Sequence, residues 1–258
     1  MDFCKNCKQP VSGNYCSNCG QPTILKRINK QYLASEITDV FCARKGFFHT
    51  VKGMIVRPGN TVRNYMTENR SRYVKPITFV IITSLIYTIF CHLFQIGLDS
   101  YGGQDADTLN GSAMGTILIW MIENQGYTSL LSGFFMAFWV KLFFRKTGYN
   151  LFEIFVLICF VSGIGTLFTA LMLVFKPLTQ WNLIYIANVI SIVYSTWAIG
   201  QFFDPKKASS YIKAFISYML SIAIQTILIV MVGLSIDIII LLFKSIKKLQ
   251  IITSFFMG

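Results

Sequence analysis

The chain has 258 residues, 54% hydrophobic and only 13% charged, with 23 Phe and a formal net charge of +12. A soluble domain carries about 25% charged residues, so this composition excludes an ordinary water-soluble globule and points to lipid as the main solvent. The positive charge is concentrated just ahead of the first long apolar run. That fits the Lys/Arg excess on the cytoplasmic face of membrane proteins better than a nucleic-acid surface, and no nucleic acid is expected as a partner.

Residues 1–22 read Cys4-x2-Cys7-x8-Cys16-x2-Cys19. Each Cys-x2-Cys makes a knuckle that brings two thiolates to one ion, and two knuckles complete a tetrahedron. Pro10 and Pro22 oppose helix formation, while Gly13 and Gly20 allow tight turns. The reading is a zinc ribbon holding one structural Zn2+ through Cys4, Cys7, Cys16 and Cys19. Paired disulfides, a redox-active Cys-x-x-Cys pair and a metal-free tail are the other readings. Phe3 and Tyr15 are expected to cover the site. No apolar h-region opens the chain, so the front end is expected in the cytosol, where thiols stay reduced. Cys42, Cys91 and Cys159 are singletons in apolar surroundings, expected to be inert.

Residues 23–75 form a basic, amphipathic juxtamembrane arm. Phe47, Phe48, Val51, Met54 and Ile55 recur at helical spacing and are expected on one face, with Lys52 and His49 at its edges. Arg57-Pro58-Gly59 breaks this helix, and Asn60-Thr61 begins another. Arg57, Arg63, Arg70, Arg72 and Lys75 are expected at the lipid headgroups of the inner leaflet. The competing reading is ordinary topology signalling, with these helices packed on the protein's own cytosolic loops.

The stretch from Thr50 to Pro76 resembles the short segment of the bacterial domain-of-unknown-function family numbered 3667. Thr50, Arg57, Pro58, Gly59, Tyr65, Arg70, Tyr73 and Pro76 carry the resemblance, over about residues 46–80. Glu68 and Asn69 stand where the family commonly has glycine. The resemblance implies a front zinc ribbon, several following spans and a bacterial inner-membrane location. It implies no activity.

From 76 to 258 the chain reads as a multi-pass membrane domain with spans near 76–98, 127–144, 153–175, 182–203 and 211–243. Each run is long enough, at about 1.5 Å per residue, for a hydrocarbon core of about 30 Å. The run 113–122 is read as an interfacial or tilted extension of the second span. Gly233 and Asp237 are expected to kink the last span or mark where it leaves the bilayer. Basic residues at 145–146, 176 and 206–207 alternate in number between loops as a cytosolic N-terminus requires; Lys244, Lys247 and Lys248 do not follow that pattern.

Polar residues at bilayer depth are functional suspects. Asp237, Gln225 and Asn188 are singled out as a possible intramembrane polar site, with Asp237 more simply placed near an interface and Gln225 and Asn188 as interhelical hydrogen-bonding groups. No H-E-x-x-H, G-x-S-x-G or P-loop occurs, so no enzyme is expected. The fold class is an all-α membrane bundle preceded by a zinc ribbon and a basic arm. The expected function is a non-enzymatic adaptor whose ribbon docks a protein partner or another copy, in contact with membrane lipids. The alternative is a small-solute or ion transporter or channel regulated by the ribbon.

Overall fold

The structure, a computed structural model, describes residues 2–4, 8–11, 13–18, 46–67, 72–94, 112–175 and 183–257, with side chains described as far as 243. The chain divides into two compact units, Met1–Arg44 and Lys45–Gly258.

In the first unit, β1 (Asp2–Phe3) pairs antiparallel with β2 (Pro10–Val11), Asp2 opposite Val11 and Phe3 opposite Pro10. The chain reverses directly after Cys4. The Cys4 amide donates to the Gln9 carbonyl at 2.8 Å, and the Lys8 amide donates to the Cys4 carbonyl at 2.9 Å. Lys8 takes a left-handed φ of 57° to close this turn, a conformation that non-glycine residues adopt uncommonly. Cys4 and Cys16 are both buried thiols. Phe3 and Tyr15, expected to cover the site, are 64% and 65% exposed.

The second unit is helical. Among the described residues it contains α1 (Gly46–Val56), α2 (Pro58–Thr67), α3 (Pro76–Leu93), α4 (Ala113–Glu123), α5 (Gln125–Phe143), α6 (Leu151–Phe175), α7 (Leu183–Phe203) and α8 (Ala208–Met257). Local chemistry sets many of the boundaries. Pro58 and Pro76 open α2 and α3, where the missing amide proton costs nothing and the fixed φ suits the first turn. Asn150 and Glu153 form a reciprocal capping box at α6: the Glu153 amide donates to Asn150 Oδ1 and the Asn150 amide to Glu153 Oε2, each at 2.8 Å. Gly148, at φ 81°, ends the short turn Arg145–Thr147.

α6 is the central helix, packed against α3, α5 and α7 and touching α1 and α2, while α8 packs on α7 and α5 and carries α4 against it. Phe79 of α3 lies over Gly163 of α6, with Phe160 beside it at 5.7 Å between ring centroids. Outside this core, Ile77, Ile81, Leu85 and Ile89 form an exposed apolar stripe on α3, and Leu131, Phe134, Phe138 and Leu142 form another on α5. Such surface is suited to lipid rather than water.

Among the described residues, four helices are long and apolar enough to cross a membrane: α3 with 18 residues, α6 with 25, α7 with 21 and the Ala208–Phe243 part of α8 with 36. α5, at 19 residues, is one longer than α3, but Gln125, Thr128, Ser129, Ser132 and Lys141 make it more polar. The run 113–122 proves to be a separate helix, α4, divided from α5 at Asn124, whose side-chain amide donates to the Trp120 carbonyl at 3.0 Å. The helix does not break at Gly233. α8 continues through it for 50 residues in all, a length of about 75 Å. Gly233 serves instead as the crossing point of α4, since a Cβ there would meet Met114 at 3.0 Å.

Candidate functional site

Four helices each turn a row of polar side chains toward one another. α5 supplies Gln125, Thr128, Ser129 and Ser132; α6 supplies Ser162, Thr166 and Thr169; α7 supplies Asn188, Ser191 and Ser195; α8 supplies Tyr218, Ser221 and Gln225. In the rows of α6, α7 and α8 the spacing is three or four residues, and in α5 the adjacent Thr128 and Ser129 each lie three or four from Gln125 and Ser132, which places the members on one helical face. Together with Met136, Ile158 and Val161 they line a cavity of about 220 Å³. Among the lining residues there is no Asp, Glu, Lys, Arg or His.

Close helix approach holds the rows in register. Gly133 faces Ile158, and Gly165 faces Ser191. Across the cavity, Gln225 Nε2 donates to Ser132 Oγ at 2.6 Å. Thr166 and Thr169 donate to the carbonyls of Ser162 and Gly165, at 3.0 and 3.1 Å, which leaves their oxygen lone pairs free to accept. Ser195 and Ser221 are each only 4% exposed, and neither side chain is engaged with another group among the described residues. One turn further along α5 and α7, toward the end of α7 that meets α2, the bundle becomes apolar. Ala137, Val140, Leu157, Ala198 and Ile199 are buried there and close the cavity on that side. The opposite side carries Gln125, Thr169 and Asn188. The space is therefore a vestibule with one closed end.

The closed end is finished by the α1–α2 hairpin. α2 begins against the last turn of α7. A Cβ on Gly59 would lie 2.6 Å from the Gln201 carbonyl oxygen and 2.9 Å from the Phe202 amide nitrogen, so this position admits only glycine without movement of backbone. One turn on, Arg63 Nη2 donates to the Gln201 carbonyl at 3.0 Å, and Nε and Nη2 both donate to the Phe202 carbonyl, Nε at 3.1 Å. The guanidinium also lies over the Phe202 ring, 5.7 Å from its centroid. A helix C-terminus has unpaired carbonyls and a partial negative charge. Here it meets both a cation and the positive N-terminal end of α2. From α7, the Tyr194 hydroxyl donates to the Met54 carbonyl at 3.0 Å. Thr50 Oγ1 accepts from the Val74 amide at 3.2 Å and donates to the Gly46 carbonyl at 2.7 Å, tying the approach to α3 onto α1. Tyr73 stacks near His49 and Tyr65, and Tyr65 meets Phe160.

Residues 44–88 match the family model described as Protein of unknown function (DUF3667). The match covers the hairpin and most of α3. No curated protein and no solved structure matches the chain. Within the DUF3667 segment, the residues that carried the resemblance hold structural posts: Thr50, Pro58 and Gly59 are buried, and so is Pro76. Arg57, Arg72 and Lys75 are exposed, whereas Arg63, expected at headgroups, faces the α7 carbonyls. Arg70 lies outside the described residues, as do Cys7 and Cys19. The apolar face of α1 is narrower than the sequence spacing implied. Phe47, Val51 and Met54 pack inward with Thr50, while Phe48 is 74% exposed and Ile55 also turns outward.

Of the three polar residues singled out in the spans, Asn188 and Gln225 meet in the vestibule and Asp237 does not. Asp237 Oδ1 accepts from the Ala113 amide at 2.7 Å, so its carboxylate sits at the N-terminus of α4, beside the Ser112 hydroxyl that accepts from Gly115 at 3.0 Å. That is a helix-capping arrangement. The seryl and threonyl rows were missed. Their three-to-four-residue recurrence in four successive apolar runs was the available signal. On the loop between α7 and α8, Asp204 pairs with Lys207 at 2.9 Å. The Lys207 side chain, and then the Lys206 amide, hold its carboxyl below the usual carboxylate range.

Proposed function

We propose that this protein is a non-enzymatic adaptor of the bacterial inner membrane, anchored by a multi-pass bundle and carrying a zinc-clipped recognition unit at its cytosolic N-terminus. The observation that carries the reading is the division of the chain. Met1–Arg44 forms one compact unit and the helices another, and the smaller unit holds two buried thiols, Cys4 directly after β1 and Cys16 beyond β2. A segment this small has little apolar core, so metal binding would supply its folding energy. Cys4, Cys7, Cys16 and Cys19 would hold one Zn2+. The burial of Cys4 and Cys16 fits a closed, all-thiolate site, which suits structural rather than catalytic zinc. The bundle reading takes α4 and α5 together as one further, interrupted crossing, giving five spans. Arg57, Arg70, Arg72 and Lys75 would then lie at the inner-leaflet headgroups.

The adaptor's partner is a protein or a second copy of the chain, docked on the ribbon. Metal analysis of the purified full-length protein is expected to give one zinc per chain, lost when all four cysteines become serine. Crosslinking in native membranes is expected to yield a discrete adduct in the parent and none in the all-serine protein. An all-serine protein that keeps the adduct overturns the adaptor reading. The vestibule favours a second reading, solute passage. The apolar layer behind it counts against an open path, and the second reading requires solute flux in vesicles that Gln225→Leu abolishes.

A further inference from the structure

We propose that the vestibule is a binding site for a small, uncharged, hydroxyl-rich solute, a polyol of a few carbons. This goes beyond the adaptor reading and does not depend on it. The chemistry of the walls selects the class. With no ionisable residue other than the Tyr218 phenol in the lining, a charged ligand would lose its hydration with nothing to offset it. Hydroxyls and carboxamides each donate and accept, as do the hydroxyls of a polyol. Met136, Ile158 and Val161 give such a ligand an apolar surface for its carbon chain.

The size selects within the class. A cavity of about 220 Å³ is below the ~300–1,000 Å³ that encloses drug-sized ligands. Ser195 and Ser221 provide the independent sign of an occupant. Both are more than nine-tenths buried and line the cavity, and neither side chain has a protein partner among the described residues. Buried polar groups rarely remain unpaired, so their partners come from what fills the space. The occupant enters past Asn188 and Gln125, because the other end is closed.

The test is equilibrium binding of tritiated erythritol to the full-length protein in lipid vesicles, with glycerol and xylitol as competitors and trimethylglycine as the zwitterionic comparator, which carries two full charges. The expected result is saturable binding at one site per chain, displaced by the polyols and not by trimethylglycine. Removing one hydrogen-bonding group, the buried hydroxyl in Ser221→Val or the half-buried amide in Gln225→Leu, is expected to weaken binding about tenfold. Asn188→Ala, at the exposed mouth, is expected to fold normally and weaken binding less. Asp237→Asn, outside the vestibule, leaves it unchanged. Absence of saturable binding to the parent protein means that the space holds water only and overturns the proposal. So does binding that none of the three vestibule substitutions alters, or binding that trimethylglycine displaces as well as the polyols do.

Discussion

Replacing Gly59 by alanine tests the central joint of the helical unit. The new Cβ would lie 2.6 Å from the Gln201 carbonyl oxygen and 2.7 Å from its carbon, well inside van der Waals contact, and the obstacle is backbone that cannot rotate away. Overpacking of this kind costs about 1–3 kcal/mol. If α2 lifts to relieve it, Arg63 also loses its charged hydrogen bonds to α7, worth about 1.5–3 kcal/mol. The gain in helix propensity recovers at most about 1 kcal/mol. The expected net destabilisation is about 2–4 kcal/mol. Gly53→Ala is the matched control: its Cβ would meet the Thr61 side chain at 2.8 Å, which can turn aside, so propensity offsets most of the cost. Reversible unfolding of the detergent-solubilised protein, followed by tryptophan fluorescence, measures both. Arg63→Ala alone is expected to be destabilising, and the Gly59/Arg63 double variant to lose less than the sum, because both act on one contact. A Gly59→Ala protein no less stable than Gly53→Ala, or strictly additive losses, would refute the account of this joint.

Asp237→Ala is expected to accelerate hydrogen exchange at the start of α4 and to cost about 0.5–1 kcal/mol; Asp237→Asn, which keeps an acceptor, is expected to fall between, and unchanged exchange at Ala113 would count against the cap. Gly163→Ala would set a Cβ 2.6 Å from the Phe79 ring and is expected to cost about 1–3 kcal/mol, partly restored by Phe79→Leu, as thermal melts of the two variants would report. Asp204 has a depressed carboxyl in the folded protein, so its contribution to stability is present above its unfolded value and is lost as pH falls through the folded one. Melts of the parent and of Asp204→Asn are therefore expected to converge in acid and separate toward neutrality.

Element type was legible wherever a long apolar run met a clear stop. Pro76 announced α3, and Arg57-Pro58-Gly59 announced the division between α1 and α2. The tertiary use of that tripeptide was not legible. Gly59 reads locally as a turn residue, yet its requirement comes from a helix end more than a hundred residues away. Arg63 illustrates the same limit: a cation near a span looks like a headgroup ligand until the carbonyls of Gln201 and Phe202 are placed beside it. Gly233, with Asp237, reads as a kink or as the point where the last span leaves the bilayer, and nothing in its local sequence shows that it also makes room for Met114. Asn188 and Gln225 were visible as isolated amides, but the hydroxyl rows around them are composed of residues that commonly bond their own helix, and only packing shows that four rows converge.

The bonds from Arg63 to α7 and from Tyr194 to Met54 join positions 138–140 apart in the chain. A ribosome supplies about 5–20 residues per second, so the hairpin waits on the order of ten seconds for the helix that completes it. During that interval Met54, Gly59 and Arg63 lack their neighbours on α7. Biogenesis thus has a built-in order: the α1–α2 hairpin cannot finish folding until α7, the third of the four long apolar helices, has been delivered. Chains truncated before Phe203 would display an unmated hairpin, a natural mark for quality-control proteolysis.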